Sequence, residues 1–293
     1  MTNLETREKT YIEAIEKALS SYMEIDDPQV EGLTEAMRYS VSCGGKRIRP
    51  ILLLEWTRMC GGDFKKAIPF ACALEMIHTS SLIHDDMPCM DNDDMRRGKP
   101  ACHIKYGENT ALLAGDALSV QAFSIIADSC LPTATILKCI KILADSTGVV
   151  GMLGGQMMDE ENERANITDC KRIEATDLKK TGALIRSACE IGAIIGGGSE
   201  EEIQAAVKYG NELGIAFQIQ DDILDVTGDE KLLGKAIGSD KETDKSTYTS
   251  LLGLEKAKEQ AAFHSEEAIK AINIFKDNDY LLSLVKALME RDR

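Results

Sequence analysis

Along most of the chain, apolar residues recur at the three- and four-residue spacing of amphipathic helices, with short polar or glycine-rich breaks between. Gly61-Gly62-Asp63 separates a Leu-rich helix from the next one. Residues 71–86 form an unbroken helical stretch that Pro88 stops. Residues 91–108 are polar and read as a loop. Residues 112–126 are apolar on nearly all sides, which predicts a central buried helix. Residues 160–169 read as a polar connection, and Gly196-Gly197-Gly198 closes a further helix. Ser199 and Glu202 then make a capping-box pattern. After them Ile203, Ala206, Val207, Gly210, Leu213, Gly214 and Phe217 hold helical spacing. Residues 228–246 read as a charged loop, with helices resuming to the C-terminus. No alternating strand pattern, repeat or linker appears. The expectation is an all-α fold, one domain over residues 1–293 built as a single helical bundle.

Composition sharpens this picture. Hydrophobic residues make up 44% and aromatics only 5%, with 6 Pro in 293 residues, which favours a globular helical protein. The net charge of −15 makes a general nucleic-acid or anionic-membrane binder a poor fit, since both want excess Lys and Arg. No apolar stretch is expected to reach the ~18 residues of a membrane span. The 9 Cys include no CxxC pair and are odd in number, so reduced thiols in a cytoplasmic protein are expected. The charged N-terminal residues carry no signal-peptide core.

Two acidic clusters carry the chemistry. From Asp85 to Asp94 five carboxylates fall within ten residues: Asp85, Asp86, Asp91, Asp93 and Asp94. An acidic run can simply face solvent, but charges this close repel unless a cation neutralises them. A calcium loop starting at Asp86 fails, because Asp91 and Arg97 stand where Gly and Glu are needed. Further on, Gln218, Asp221, Asp222 and Asp225 follow the i, i+3, i+4, i+7 rule and share one helix face. Carboxylates near a helix C-terminus also oppose its dipole. Two acidic helix ends suggest a shared mouth lined for magnesium, which takes few carboxylates plus phosphate oxygens and water.

Basic residues are few and clustered. Gly44-Gly45-Lys46-Arg47-Ile48-Arg49-Pro50 places three cations in four positions, and Arg96-Arg97 follows the first acidic cluster. Lys179, Lys180, Lys235, Lys241 and Lys245 supply more. Arg suits bidentate phosphate contacts; for Arg47, Lys179 and Lys241 ordinary surface salt bridging is the expectation. A nucleotide phosphate loop fails: Gly228 and Gly234 are spaced wrongly, and Ala236 follows Lys235 where Ser or Thr is needed.

In order, GGKRIRP at 44–50, HTSSLIHDDMPCMDNDDMRRGKP at 78–100, AGDAL at 114–118, GGQ at 154–156, KTGALI at 180–185, QIQDDILDVTGD at 218–229, GK at 234–235 and KSTY at 245–248 resemble the trans-isoprenyl diphosphate synthases, especially bacterial farnesyl and geranylgeranyl diphosphate synthases. The resemblance spans nearly the whole chain and includes the longer acidic motif, with four residues between Asp86 and Asp91. It implies the all-α isoprenoid-synthase fold around a central cavity, a homodimer, and three magnesium ions bound with an allylic diphosphate. It implies that Asp85 and Asp91 ligate metal with Asp86 in support, and Asp221 from the other side with Asp222 and Asp225 behind it. Lys46, Arg49, His78 and Arg97 would hold isopentenyl diphosphate. Arg96, Lys180, Lys235 and Lys245 would hold the allylic diphosphate, with Thr181 and Gln218 beside the developing cation. A lone His on a helix is often only structural; His78 lies seven residues before Asp85, on the same face.

Ser81 and Ser80 sit about one turn before Asp85, and Met76 about one turn further. Farnesyl-producing relatives often carry an aromatic at the position of Ser80. A small residue there leaves the pocket open towards Met76 and points to a twenty-carbon product. Two other readings compete. A class I terpene cyclase also ionises a prenyl diphosphate but needs no second diphosphate site such as Lys46, Arg49 and Arg97 would form. A regulatory subunit of a heteromeric synthase would be expected to lose one acidic cluster, and both are intact.

Overall fold

The computed structural model describes residues 3–165, 167–227 and 246–290. Its helices are α1 (Asn3–Tyr22), α2 (Glu31–Val41), α3 (Ile48–Met59), α4 (Ile68–Asp85), α5 (Cys102–Tyr106), α6 (Glu108–Ala127), α7 (Thr133–Thr147), α8 (Met152–Ala165), α9 (Cys170–Asp177), α10 (Ala183–Gly196), α11 (Glu200–Thr227), α12 (Tyr248–Leu252), α13 (Leu254–Ala271) and α14 (Asp279–Met289). A π-helical turn, Leu178–Gly182, joins α9 to α10 without a break. Among the described residues the sheet content is one two-residue ribbon, β1 (Met95–Arg96) against β2 (Lys99–Pro100). The all-α class expected from the pattern is observed.

α4 runs through the middle, and its first half is almost wholly apolar. Phe70, Ala71, Ala73, Leu74, Met76 and Ile77 are all fully buried, which stabilises by about 25 cal/mol per Å2 of apolar surface removed from water. α3, α6 and α10 wrap it, and Trp56 of α3 anchors the core edge-on against Tyr209 and Phe275. Glycines set the closest approaches. A Cβ at Gly214 of α11 would lie 2.8 Å from the Gly182 Cα, so α11 presses directly on the π-turn.

Four expectations need correction. Residues 91–108 are not one loop: the ribbon and α5 lie within them. Residues 160–169 are not one connection, since α8 continues through Ala165; the run Glu160, Glu161, Glu163, Arg164 is simply its solvated face. α6 is not buried all round: Leu112, Leu113 and Val120 are exposed, Val120 at 71%. The fourth concerns membrane length. α6, with 20 residues and mean hydropathy 1.5, is long and apolar enough to cross a membrane by those measures. Small residues such as Ala111, Ala114 and Gly115 keep the hydropathy high while filling a tight seam with α4. The Ser199–Glu202 capping box is observed, each backbone amide donating to the other's side chain at 2.7 and 3.3 Å.

Candidate active site

α4 ends where Pro88 forbids another turn. The chain then folds back, and the Asp91 amide donates to the Asp85 carbonyl at 2.9 Å. That turn returns Asp91 to Asp85. Burial pushes the Asp85 carboxyl up to about 6; Asp91 adds to the rise, while Lys180 and Arg96 oppose it. Asp86 is buried and accepts from Arg96 Nε at 2.8 Å and from its Nη2. Arg96, expected at the allylic diphosphate, is therefore already tied to Asp86, and more loosely to Asp93 at 3.4 Å.

The ribbon aims the two arginines apart. Arg97 (φ 52°) and Gly98 (φ 73°) form its turn, both left-handed as a tight hairpin requires. Tyr39 Oη donates to the Pro100 carbonyl at 2.8 Å and fixes the second strand, with Lys105 Nζ 3.8 Å over the Tyr39 ring. Arg97 Nη1 thereby donates to the Gly44 carbonyl. Gly45 has φ +123°, and a Cβ there would sit 2.6 Å from the Arg97 guanidinium carbon. Only glycine fits that position.

Arg47 corrects its expectation. It is a buried charge, not a surface one: Nη1 donates to Glu75 at 2.6 Å, Nε to Glu16 at 2.7 Å and Nη2 to the Val41 carbonyl at 2.7 Å. Glu75 also faces Arg97 at 3.9 Å. Two residues on, Arg49 Nη1 donates to His78 Nε2 at 3.3 Å. Burial and the surrounding arginines push His78 well below its ordinary range, so it stands neutral. Burial also lowers Arg49, and its Nε has no hydrogen-bond partner among the described residues. A desolvated guanidinium with an unmet donor is a candidate for holding an anion. Lys46 is exposed at the rim of the adjoining cavity, about 340 Å3, which Arg49, Ile51, Ile185, Phe217 and Leu284 also line.

Opposite, the π-turn carries Lys180 and Thr181. Lys180 Nζ donates to Asp159 at 2.6 Å, and Thr181 Oγ1 donates to Gln218 Oε1 at 3.3 Å. α8 approaches closely because Gly155 has no side chain; a Cβ there would be 2.1 Å from the Lys180 amide. On α11, Asp222 and Asp225 are buried while Gln218 and Asp221 are half-buried. Asp222 Oδ2 accepts the Tyr248 amide at 2.8 Å, which ties α12 to α11. Asp221 is near enough to act on Arg49, as Lys180 acts on Asp85. Lys235, Lys241 and Lys245 lie outside the described residues.

Below the acidic mouth, Ser81 Oγ donates to the His78 carbonyl at 2.9 Å. Ser80 and Ser119 Oγ atoms lie 2.8 Å apart across the α4–α6 seam. Met76 is fully buried. Sequence reasoning missed Asp159, Glu75 and Ser119. Asp159 stands one turn after Gly155 in GGQ, and Glu75 is the single carboxylate in an apolar run, three residues before His78. Ser119 carried no signal, because only the seam register brings it to Ser80.

A family profile described as Polyprenyl synthetase matches residues 30–287. The farnesyl diphosphate synthase of Geobacillus stearothermophilus is 46% identical over 262 residues, covering 87% of this chain and 86% of that one. The geranylgeranyl diphosphate synthase of Cyanophora paradoxa is 46% identical over 243 residues, covering 82% and 81%. Among solved structures, an FPP/GFPP synthase from Zymomonas mobilis superposes with a TM-score of 0.88 at 36% identity, covering 98% of this chain and 99% of that one. The geranylgeranyl pyrophosphate synthetase of Pyrococcus horikoshii gives 0.88 at 32% identity, with 98% of each chain covered.

Proposed function

The chain belongs to the polyprenyl synthetase family, and from that premise we propose how its residues divide the work. It is a prenyltransferase that condenses isopentenyl diphosphate with an allylic diphosphate to a short-chain prenyl diphosphate, releasing diphosphate. The observation that carries our residue assignment is Arg49, desolvated with an unmet Nε beside neutral His78. It supports a diphosphate subsite separate from the acidic mouth, which a two-substrate condensation needs and a cyclase does not. Lys46, Arg49, His78 and Arg97 hold isopentenyl diphosphate there.

Family membership implies magnesium-dependent catalysis. Among the described residues no three carboxylates, His or Cys form a ready-made cage. Magnesium takes one or two carboxylates and completes its shell with phosphate oxygens and water. Asp85 and Asp91 on one side and Asp221 on the other would hold magnesium, three ions with the allylic diphosphate, with Asp86, Asp222 and Asp225 in support. When bound, magnesium would supply positive charge to neutralise the departing diphosphate.

The chain's own groups do the rest. Lys180 brings a positive charge to the leaving group, steadied by Asp159 at 2.6 Å; a unit charge at ~4 Å and an effective dielectric near 20 contributes roughly 4 kcal/mol. Arg96 presents the same face while held by Asp86. Thr181 and Gln218, hydrogen-bonded to each other at 3.3 Å, would offer oxygen lone pairs to the developing allylic cation. The double bond of isopentenyl diphosphate attacks that cation, a carbon–carbon bond forms, and the proton lost from the new tertiary cation passes to the released diphosphate. Apolar walls keep out water that would quench the cation.

A homodimer is supported by the exposed apolar face formed by Leu112, Leu113 and Val120 of α6, with Leu137, Val149 and Val150 also exposed nearby in sequence. The nine free cysteines suit a reducing, cytoplasmic setting. The small Ser80 supports a twenty-carbon product. The test is to incubate the pure protein with magnesium, labelled isopentenyl diphosphate and, separately, dimethylallyl, geranyl and farnesyl diphosphates. Extension of farnesyl diphosphate to twenty carbons is the expected result. Termination at fifteen refutes the chain length; no extension of any primer moves the cyclase or partner-subunit reading to the front.

A further inference from the structure

The π-turn has two sides. Lys180 and Thr181 belong to the site described above, while Lys179 and, further along at helical spacing, Ala183 and Arg186 line a second cavity of about 410 Å3. Its walls are set by backbone. α10 and α11 touch at Gly210, where a Cβ would lie 2.6 Å from the Arg186 Cα, and again at Gly214, 2.8 Å from the Gly182 Cα. The charges lining it are unevenly matched. Glu212 of α11 is taken by His264 of α13, Nδ1 to Oε2 at 2.7 Å. The surface ion pair expected of Lys179 is not made: among the described residues neither Lys179 nor Arg186 has a carboxylate within 4.0 Å, and both are half-buried. Arg186 Nη2 donates to Ser146 Oγ at 3.2 Å, and its Nε is buried with no partner among the described residues. Buried donors of this kind ordinarily have one. Glu190, one turn along α10, acts on Arg186 through its charge without bonding it. Glu174 of α9 is the lining carboxylate left open, against two open cations.

We propose that this cavity behind the π-turn is an effector site, separate from the two diphosphate subsites, for a small phosphate-type oxyanion held by Arg186, Lys179 and the Asn211 amide. The guanidinium presents a planar fork to phosphate oxygens and the ammonium a point charge. Asn211 of α11 lines the same cavity and adds a neutral donor. Leu178 and Ile215 give it an apolar wall, so a phosphate monoester with a short chain fits as well as free phosphate. The volume lies in the range that takes small ligands. The site itself does not depend on the reaction; its link to catalysis rests on the prenyltransferase reading above. Lys179 and Lys180 are consecutive residues of the π-turn, and Lys180 is seated on Asp159 at 2.6 Å. An anion drawn between Lys179 and Arg186 braces that turn from behind while Lys180 meets the allylic diphosphate in front. Binding at the two places is then mutually favourable, each raising the affinity of the other by the same factor.

The experiment titrates inorganic phosphate, and separately butyl phosphate, into the full-length protein by calorimetry. The active site is first filled with magnesium, isopentenyl diphosphate and a slowly reacting thiolo analogue of the allylic diphosphate, so that only a further site is read. Wild type is expected to bind one phosphate. Lys179→Gln and Arg186→Gln are each expected to weaken it about tenfold, and Lys179→Arg to restore it. Tighter binding of butyl phosphate identifies an organic monoester as the ligand; equal or weaker binding identifies free phosphate. The link to catalysis is read from the allylic KM with and without phosphate. Competition at the allylic subsite is common to wild type and Lys179→Gln and divides out. Relative to that variant, phosphate is expected to lower the wild-type allylic KM about fivefold, the low end of allosteric couplings. No phosphate bound to the filled wild type, or binding undiminished in both Gln variants, overturns the site. An equal KM response in wild type and Lys179→Gln overturns the link. Absence of isopentenyl incorporation by the wild type overturns the synthase reading instead, and leaves the calorimetric result standing.

Discussion

Glu75 is the sharpest place to test the electrostatics of this fold. Its carboxylate is 2% exposed and pairs with Arg47, itself 1% exposed, at 2.6 Å. The same oxygen faces Arg97 at 3.9 Å, and its charge also supports Arg49. Glu75→Gln keeps the shape and removes the charge. Taking one partner from a buried ion pair typically costs 3–5 kcal/mol, because the other charge is left uncompensated. Arg47 keeps Glu16 and the Val41 carbonyl, so the lower end applies, about 3 kcal/mol. Larger domains lose some 2–4 °C of Tm per kcal/mol, which makes the expected drop roughly 6–12 °C. Urea and thermal unfolding of the purified variant measure it. A second variant, Arg47→Met with Glu75→Leu, removes both charges and is expected to regain part of the loss. If Glu75→Gln unfolds within about 1 kcal/mol of wild type, or the double variant is worse than the single, the account of Glu75 as the counter-charge of this arginine cluster is wrong.

Three further predictions follow from the same site and its surroundings. Gly45→Ala forces a Cβ against the Arg97 guanidinium at a left-handed backbone position; the KM for isopentenyl diphosphate is expected to rise about tenfold, some 1.4 kcal/mol, with the allylic KM unchanged, and equal rises in both would count against it. His78 is held neutral well below 6.5, so the unfolded chain takes up its proton first as pH falls. Wild type should lose stability below pH 6.5, by up to about 1.4 kcal/mol per pH unit. His78→Gln should lack that component, so equal urea midpoint shifts between pH 7.5 and 5.5 would exclude the assignment. Val120→Arg, at a position 71% exposed, should convert a dimer to monomers in sedimentation analysis; an unchanged mass would place the subunit contact elsewhere.

How legible this was in the sequence depended on the range of each signal. Asp85, Asp91, Gln218 and Asp221 were visible because helical spacing and the Pro88 stop are local. The capping box at Ser199 was visible for the same reason. α6 misled because hydropathy records what a side chain is and not whether a partner covers it; Leu113 and Val120 look like core residues and are exposed. Arg47 looked like a surface cation because its counter-charges, Glu16 and Glu75, lie about thirty residues away on either side. The π-turn, Asp159 on Lys180 and Ser119 on Ser80 depend on packing across helices, which no local pattern encodes.

The π-turn at Leu178–Gly182 has a bearing on how this site arose and how it tolerates insertions and deletions. From Cys170 to Gly196 the chain is one continuous helix with a single wide turn. A π-turn holds one residue more than the α-turn it replaces, and each residue of an α-helix turns the chain by about 100°. The wide turn is therefore equivalent to a one-codon insertion in a plain α-helix. An in-frame deletion of Lys179 would let the helix close up with little loss of backbone bonding. It would also rotate Lys180 and Thr181 against their partners Asp159 and Gln218. The scaffold would survive as a continuous helix without its leaving-group lysine in place, so alignments of this segment need a gap placed by structure and not by residue count.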